Sequence, residues 1–164
     1  TLPKTNLIII YQPSYDDIYE IVENDCIPAV SDLEFAKKLN EDPSLDFIYT
    51  DEDKVRADLS EHFQPNLKPD FNLDLLRSNN YICHFFVVRR TIVKMVGGFR
   101  KEYDGAQDFD LIFRCCEKAE RIVHIPRILY HWRSHMNSTA ANPESKRYAF
   151  EAGKRAVEAH YERM

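Results

Sequence analysis

The chain lacks any apolar run approaching the ~20 residues of a membrane-spanning helix. Leu7-Ile8-Ile9-Ile10 is far shorter and reads as a buried strand. It lacks a basic excess: 22 Lys and Arg stand against 27 Asp and Glu, a net charge of −5. A nucleic-acid backbone is therefore not an expected partner. It lacks CxxC spacing among its four cysteines, Cys26, Cys83, Cys115 and Cys116. A zinc ribbon is not indicated, and buried thiols in a reducing compartment are expected rather than disulfides. It also lacks a secretory-signal pattern, an internal repeat and a low-complexity linker. What remains is 164 residues, 44% hydrophobic and 30% charged, enough for one globular domain with its own core.

Strand and helix patterns alternate. Leu7 to Tyr11 reads as β, and Asp16 to Val22 is ambiguous. Ser31 to Asn40 is amphipathic, and Ser31 with Glu34 resembles a capping box. Phe47 to Thr50 reads as a strand ending at Asp51, followed by a polar connection to Asp70 that contains Pro65 and Pro69. Leu73 to Arg77 is a short helix, His84 to Val88 is β, and Arg90 to Val96 is a helix stopped by Gly97. Gln107 to Ala119 is helical. Arg121 to Ile125 and Ile128 to Trp132 read as two short strands around Pro126. Pro143 opens a last helix running to about Arg163. The class is α/β with a mixed sheet, with Phe47, Ile48, Phe85 and Val87 in its core.

Several clusters carry candidate chemistry. Gly97-Gly98 leads to Gln107-Asp108-Phe109-Asp110 at a helix start. Asp108 there either serves the helix dipole or acts as a general base beside a backbone that can approach a ligand closely. Asp51 and Asp53 can share a divalent cation, or divide between metal and sugar hydroxyl; a solvated acidic turn is the alternative. Glu23 and Asp25 repeat that spacing, with a plain turn as the alternative. His131-Trp132-Arg133-Ser134-His135 offers Arg for an anion and His for a metal, unless Trp132 is core and its neighbours are surface. Asn80, next to Asn79, bonds either backbone or a sugar hydroxyl. His84 and His124 lie in apolar strand patterns and read as hydrogen-bonded core histidines.

The clusters occur in a fixed order: Tyr49-Thr50-Asp51-Glu52-Asp53-Lys54, Lys68-Pro69-Asp70-Phe71, Asn80-Tyr81-Ile82, Gly97-Gly98-Phe99-Arg100, Gln107-Asp108-Phe109-Asp110-Leu111 and Leu129-Tyr130-His131-Trp132-Arg133. The ordered set resembles the C-terminal half of bacterial family 2 glycosyltransferases of the GT-A fold, including rhamnosyltransferase-like enzymes of polysaccharide synthesis. The likeness covers about Ser31 to Met164. It implies a single GT-A-like domain over 1–164, with 31–164 as its acceptor and catalytic half. Residues 1–30 match poorly as a nucleotide-binding part, because only seven residues separate Tyr15 from Glu23, where the family places further strand–helix units. From that shortness, these 164 residues alone are expected to bind nucleotide sugars weakly.

The resemblance implies transfer of a sugar from a nucleotide-diphosphate donor to a glycan or lipid-linked acceptor, with inversion. Asp108 would be the base. Mg²⁺ or Mn²⁺ would sit at Glu23 and Asp25, assisted by His135, with Asp51 and Asp53 as the alternative pair. Gly97 and Gly98 would let backbone lie against the sugar, and Asn80, Asp51, Asp53 and Arg133 would contact donor or acceptor. Asp51, Asp108 and Arg133 are then expected near one sheet edge. A cytoplasmic location at the inner face of the membrane follows, which allows peripheral membrane association. The alternatives are a catalytically incompetent GT-A remnant serving as a binding or assembly module and, more remotely, a phosphohydrolase using Asp51, Asp53 and Asp108.

Overall fold

A computed structural model describes residues 7–11, 30–134 and 143–164. Five strands form one mixed sheet: β1 (Leu7–Tyr11), β2 (Phe47–Arg56), β3 (His62–Asn66), β4 (Phe85–Arg89) and β5 (Ile122–Ser134). The helices are α1 (Val30–Glu41), α2 (Leu73–Ser78), α3 (Arg90–Val96), α4 (Gln107–Cys116) and α5 (Pro143–Arg163). None of the described helices is long and apolar enough to cross a membrane.

The ten-residue β2 organises the sheet. Along one edge its first half pairs antiparallel with β4 and its second half with β3. Along the other it pairs parallel with β5, from Phe47↔Ile122 to Arg56↔Ser134. β1 completes the sheet antiparallel to β4.

Both faces are covered, so successive residues of the central strands alternate between two apolar layers. Phe47, Tyr49, Phe86 and Val88 face a layer containing Leu111, Phe113, Ala152 and Ala156 from α4 and α5. Ile48, Phe85 and Val87 face Phe35 of α1, Leu129 and Tyr130. Phe47 stacks on Phe86 at 5.2 Å, and Phe35 meets Phe85 edge-on at 5.3 Å. The four expected core residues are all buried.

Two readings of the sequence are corrected. The strand does not end at Asp51; it continues through Asp51, Glu52 and Asp53 because β5 and β3 supply ladder partners for them. The connection after Asp51 is accordingly a β2–β3 hairpin. The two strands expected around Pro126 are one, β5, with Thr50 opposite Ile125 and Asp51 opposite Ile128. Pro126 and Arg127 fall in that irregularity, where a missing N–H costs the ladder nothing. Asp16 to Val22 lies outside the described residues, as does Ser31's side chain, while Glu34 pairs with Lys37 and Arg127.

Gly97 ends α3 in the left-handed region at φ 82°, and Gly97 and Gly98 donate to the carbonyls of Lys94 and Val93. The turn is tied to α4 through Arg114, which donates to the Val96 and Gly98 carbonyls at 2.6 and 2.7 Å. Asp110, fully buried, takes both Arg100 and Arg114. At the other end, α5 is held by His160, whose Nδ1 lies 2.7 Å from Glu117 while Arg77 donates to its Nε2.

Truncating Asp110 would strand Arg114, which is itself only 5% exposed. Breaking a buried pair from one side typically costs about 3–5 kcal/mol. Asp110→Ala should therefore lower the urea-unfolding free energy by about that amount, with a smaller loss for Asp110→Asn, which keeps hydrogen-bonding capacity.

Candidate active site

A cleft of about 610 Å³ opens between the segment preceding β4, the start of α4 and the middle of α5. Asn80, His84, Asp108, Trp132 and Phe150 are among its walls. Asp108 is the second residue of α4 and is 4% exposed. It is not the N-cap residue, which is Ala106; its carboxylate meets the Phe109 N–H within the first turn, and Gly105 N–H donates to Gln107 Oε1. Asn80 Nδ2 donates to Asp108 Oδ2 at 2.9 Å. Burial pushes the Asp108 carboxyl above the usual range, against the pull of His84, the Phe109 N–H and the Asn80 amide. A carboxylate raised in this way holds a proton more readily, as a general base requires.

Helix α5 approaches this cleft closely because Gly105 has no side chain. Its φ is 93°, and a Cβ there would collide with the Tyr148 ring and crowd the Ala149 backbone. Gly105 thus shapes the cleft wall, a role the sequence reading missed while attending to Gly97 and Gly98. Those two are not among the lining residues, and a Cβ on either would meet nothing within 4 Å. Their glycine character serves the helix cap, where positive φ is required.

Behind the cleft lies a second network the sequence reading overlooked. Glu52, the middle carboxylate of Asp51-Glu52-Asp53, accepts from the His84 backbone N–H at 2.7 Å, and its oxygens lie 3.1 and 3.2 Å from His84 Nδ1. Lys68, whose side chain is fully buried, reaches Glu52 at 3.4 Å and donates to the Ile82 and Cys83 carbonyls at 3.1 and 2.5 Å. His84 in turn packs 4.8 Å from the Trp132 ring. The hydrogen bond expected of His84 is present, yet its ring also lines the cleft. His124 is likewise hydrogen-bonded, through Asp51 at 2.8 Å, and stacks on Tyr49.

The structure does not bring Asp51, Asp53 or Arg133 into the cleft lining with Asp108. Asp51 accepts from the Lys68 backbone N–H and pairs with His124, both at 2.8 Å. Asp53 instead meets His62 and His131. The two carboxylates therefore have different hydrogen-bond partners in the structure. Arg133 stands opposite Val55, half-buried, and strand alternation puts it on the face away from Trp132. Glu23, Asp25 and His135 lie outside the described residues. Cys83, Cys115 and Cys116 are free thiols, and burial pushes all three up from the ordinary thiol value; Cys26 is not described.

No family model matches the chain. It is 44% identical over 123 residues to the uncharacterized protein y4gI of Sinorhizobium fredii, covering 74% of this chain and 13% of that protein. To the O-antigen biosynthesis protein RfbC of Myxococcus xanthus it is 42% identical over 122 residues, covering 74% of this chain and 10% of that one. The chain thus spans about a tenth of the length of the curated relatives it matches. Among solved structures it is similar to S. aureus TarS 1-349, crystallised in complex with UDP-GlcNAc. That match has a TM-score of 0.58 at 15% identity, over 83% of this chain and 40% of that one. The fold is a GT-A-like mixed α/β sheet flanked by helices.

Glu52 makes the site acid-sensitive. Burial opposes its charge, but the bonds from His84 and the charges of His84 and Lys68 outweigh that cost and hold its carboxyl down at about 2. Its ordinary value is 4.5, so a proton binds the unfolded chain more readily than the folded one. The stabilisation is complete above that ordinary value and disappears as pH falls toward 2. It amounts to roughly 3 kcal/mol at neutral pH. Urea unfolding across this range should show that loss in the native protein and a flatter profile in Glu52→Gln.

Proposed function

We propose that this chain is the acceptor and catalytic part of a glycosyltransferase that moves a sugar from a nucleotide-diphosphate donor to a glycan or lipid-linked acceptor in cell-surface polysaccharide synthesis. The observation that carries this reading is the buried Asp108 carboxylate in the wall of a cleft that also offers neutral hydrogen-bonding groups and an aromatic ring, on a GT-A-like fold. It is supported by the similarity to an O-antigen biosynthesis protein and to TarS, which was crystallised with UDP-GlcNAc.

An acceptor hydroxyl placed beside Asp108 gives its proton to that carboxylate as its oxygen bonds the anomeric carbon. The carbon–oxygen bond to the diphosphate breaks on the opposite side, the nucleoside diphosphate departs, and the configuration inverts. Asn80 holds Asp108 with its amide N–H, while its buried Oδ1 has no partner among the described residues and is an acceptor for a sugar hydroxyl. Trp132 supplies an apolar face of the kind sugar rings pack against, and the Glu52 network fixes His84 beside it. In this reading Glu23, Asp25 and His135 would hold Mg²⁺ or Mn²⁺, and the ion would supply positive charge for the leaving diphosphate. The protein would work at the cytoplasmic face of the membrane, where activated donors and lipid-linked acceptors meet. Family 2 membership and rhamnosyl transfer are the finer forms of the same proposal.

Asp108→Asn preserves size but removes the base. In the intact protein it should lower sugar transfer by about 10²–10⁴-fold, with donor affinity little changed. Transfer assays with radiolabelled nucleotide sugars, paired with donor titration, measure both. Near-full transfer by the variant would rule Asp108 out as the base.

A further inference from the structure

We propose that Asp53, His62 and His131 form a second metal site, for a divalent transition ion of the zinc class, which clamps the β2–β3 hairpin onto β5. The three side chains come from three adjacent strands. Asp53 stands opposite His131 in the β2–β5 ladder, and His62 pairs with Val55 at the start of β3. The sheet therefore fixes all three backbones before any ion binds.

Asp53 lies between the two rings. One carboxylate oxygen is 3.0 Å from His62 Nδ1 and the other 2.5 Å from His131 Nδ1. The rings meet edge-on with centroids 4.5 Å apart, and one ligand atom from each residue lies within 4.8 Å of the others. Bonds of about 2.0–2.2 Å to nitrogen and oxygen need ligand atoms about 3.3–3.5 Å apart in a tetrahedron. The two carboxylate–imidazole separations, 3.0 and 2.5 Å, are below that spacing and would widen as an ion replaces the bridging protons. The third closes by a small shift of His62, whose side chain is 52% exposed. Two imidazoles and one carboxylate with a position open to solvent suit zinc-class ions, while Mg²⁺ favours oxygen ligands and retained waters.

The backbone is built unusually at this point. The β2–β3 register shifts between Glu52 and Lys54, and the β2–β5 register shifts between Asp51 and Asp53, so Asp53 sits at an irregularity on both of its edges. On the β3 side the irregularity includes Gln64, a non-glycine residue at φ 48°. Bulges re-aim side chains and persist where the aim matters. Here they converge on the carboxylate that both histidines meet. The site uses none of the residues proposed for the donor metal. Alternation also places Asp53 and His131 on the face of their strands opposite Lys54 and Trp132, away from the cleft.

The test is a titration of chelator-stripped protein with Co²⁺, followed by displacement with Zn²⁺. The native chain should give the visible absorption of four-coordinate Co²⁺, lost on adding Zn²⁺ but not on adding Mg²⁺, and Zn²⁺ should raise its melting temperature. His62→Ala, a largely exposed change that leaves the core intact, should weaken Zn²⁺ by at least about 100-fold, since even outer-sphere partners of a ligand are worth about 10–100-fold. His131→Ala should do the same. A Glu23→Gln, Asp25→Asn double variant should keep the Co²⁺ spectrum. Absence of that spectrum in the native chain, its survival in His62→Ala, or its loss in the Glu23, Asp25 variant would each overturn the proposal and leave two histidines hydrogen-bonded to one aspartate.

Discussion

The cleft side of this fold depends on one buried carboxylate. Glu52 is the point at which β2, the Lys68 segment and the residues leading into β4 are joined. Its charge is tolerable in the interior because Lys68 and the His84 N–H meet it there, and Lys68 in turn is tolerable because carbonyls of Ile82 and Cys83 complete its bonding. No member of this set can be buried alone. The consequence is geometric: the segment carrying Asn80 and His84 is held at a fixed distance from the sheet, and Asn80 can then reach Asp108 on a different helix.

The sheet's organisation was largely legible in the sequence. Apolar runs at Phe47–Thr50 and Phe85–Val88, the stop at Gly97 and the helix after Pro143 all follow from local pattern, and local pattern is what those elements obey. The extent of β2 was not legible. Asp51-Glu52-Asp53 has the composition of a turn, and only ladder partners far away in sequence, in β3 and β5, make it a strand. Pro126 misled in the same way, since a proline in a bulge interrupts a pattern without interrupting a strand.

The site divides similarly. Asp108 and Asn80 were named from sequence, and the structure joins them. Asp51 and Asp53 pair by spacing as two carboxylates just after an apolar strand pattern, yet the residue between them is the one that supports the cleft. Pleating explains the failure. Neighbouring residues on a strand point to opposite faces, and the register shifts then give Asp51 and Asp53 separate surroundings as well. Spacing alone cannot show which side of a sheet carries the chemistry. Lys68 stands in the ordered motif set within Lys68-Pro69-Asp70-Phe71, but its role could not be read there because it is defined by carbonyls that lie elsewhere in the chain.

Asp108 and Asp110 show how the same residue type acquires opposite duties at two positions of one helix. At 100° per residue they project about 200° apart. Asp110 turns inward onto Arg100 and Arg114 and becomes part of the strapping that fixes the Gly97-Gly98 turn. Asp108 turns to the cleft, where a neutral amide is its side-chain donor among the described residues and burial raises its proton affinity. A guanidinium at Asp108 would add a full positive charge beside the carboxylate; the Asn80 amide orients it with a hydrogen bond alone, whose downward pull burial outweighs. Arg100 and Arg114 both pair with Asp110, Arg114 also holding the Val96 and Gly98 carbonyls, and that separation leaves the cleft carboxylate without an arginine partner among the described residues.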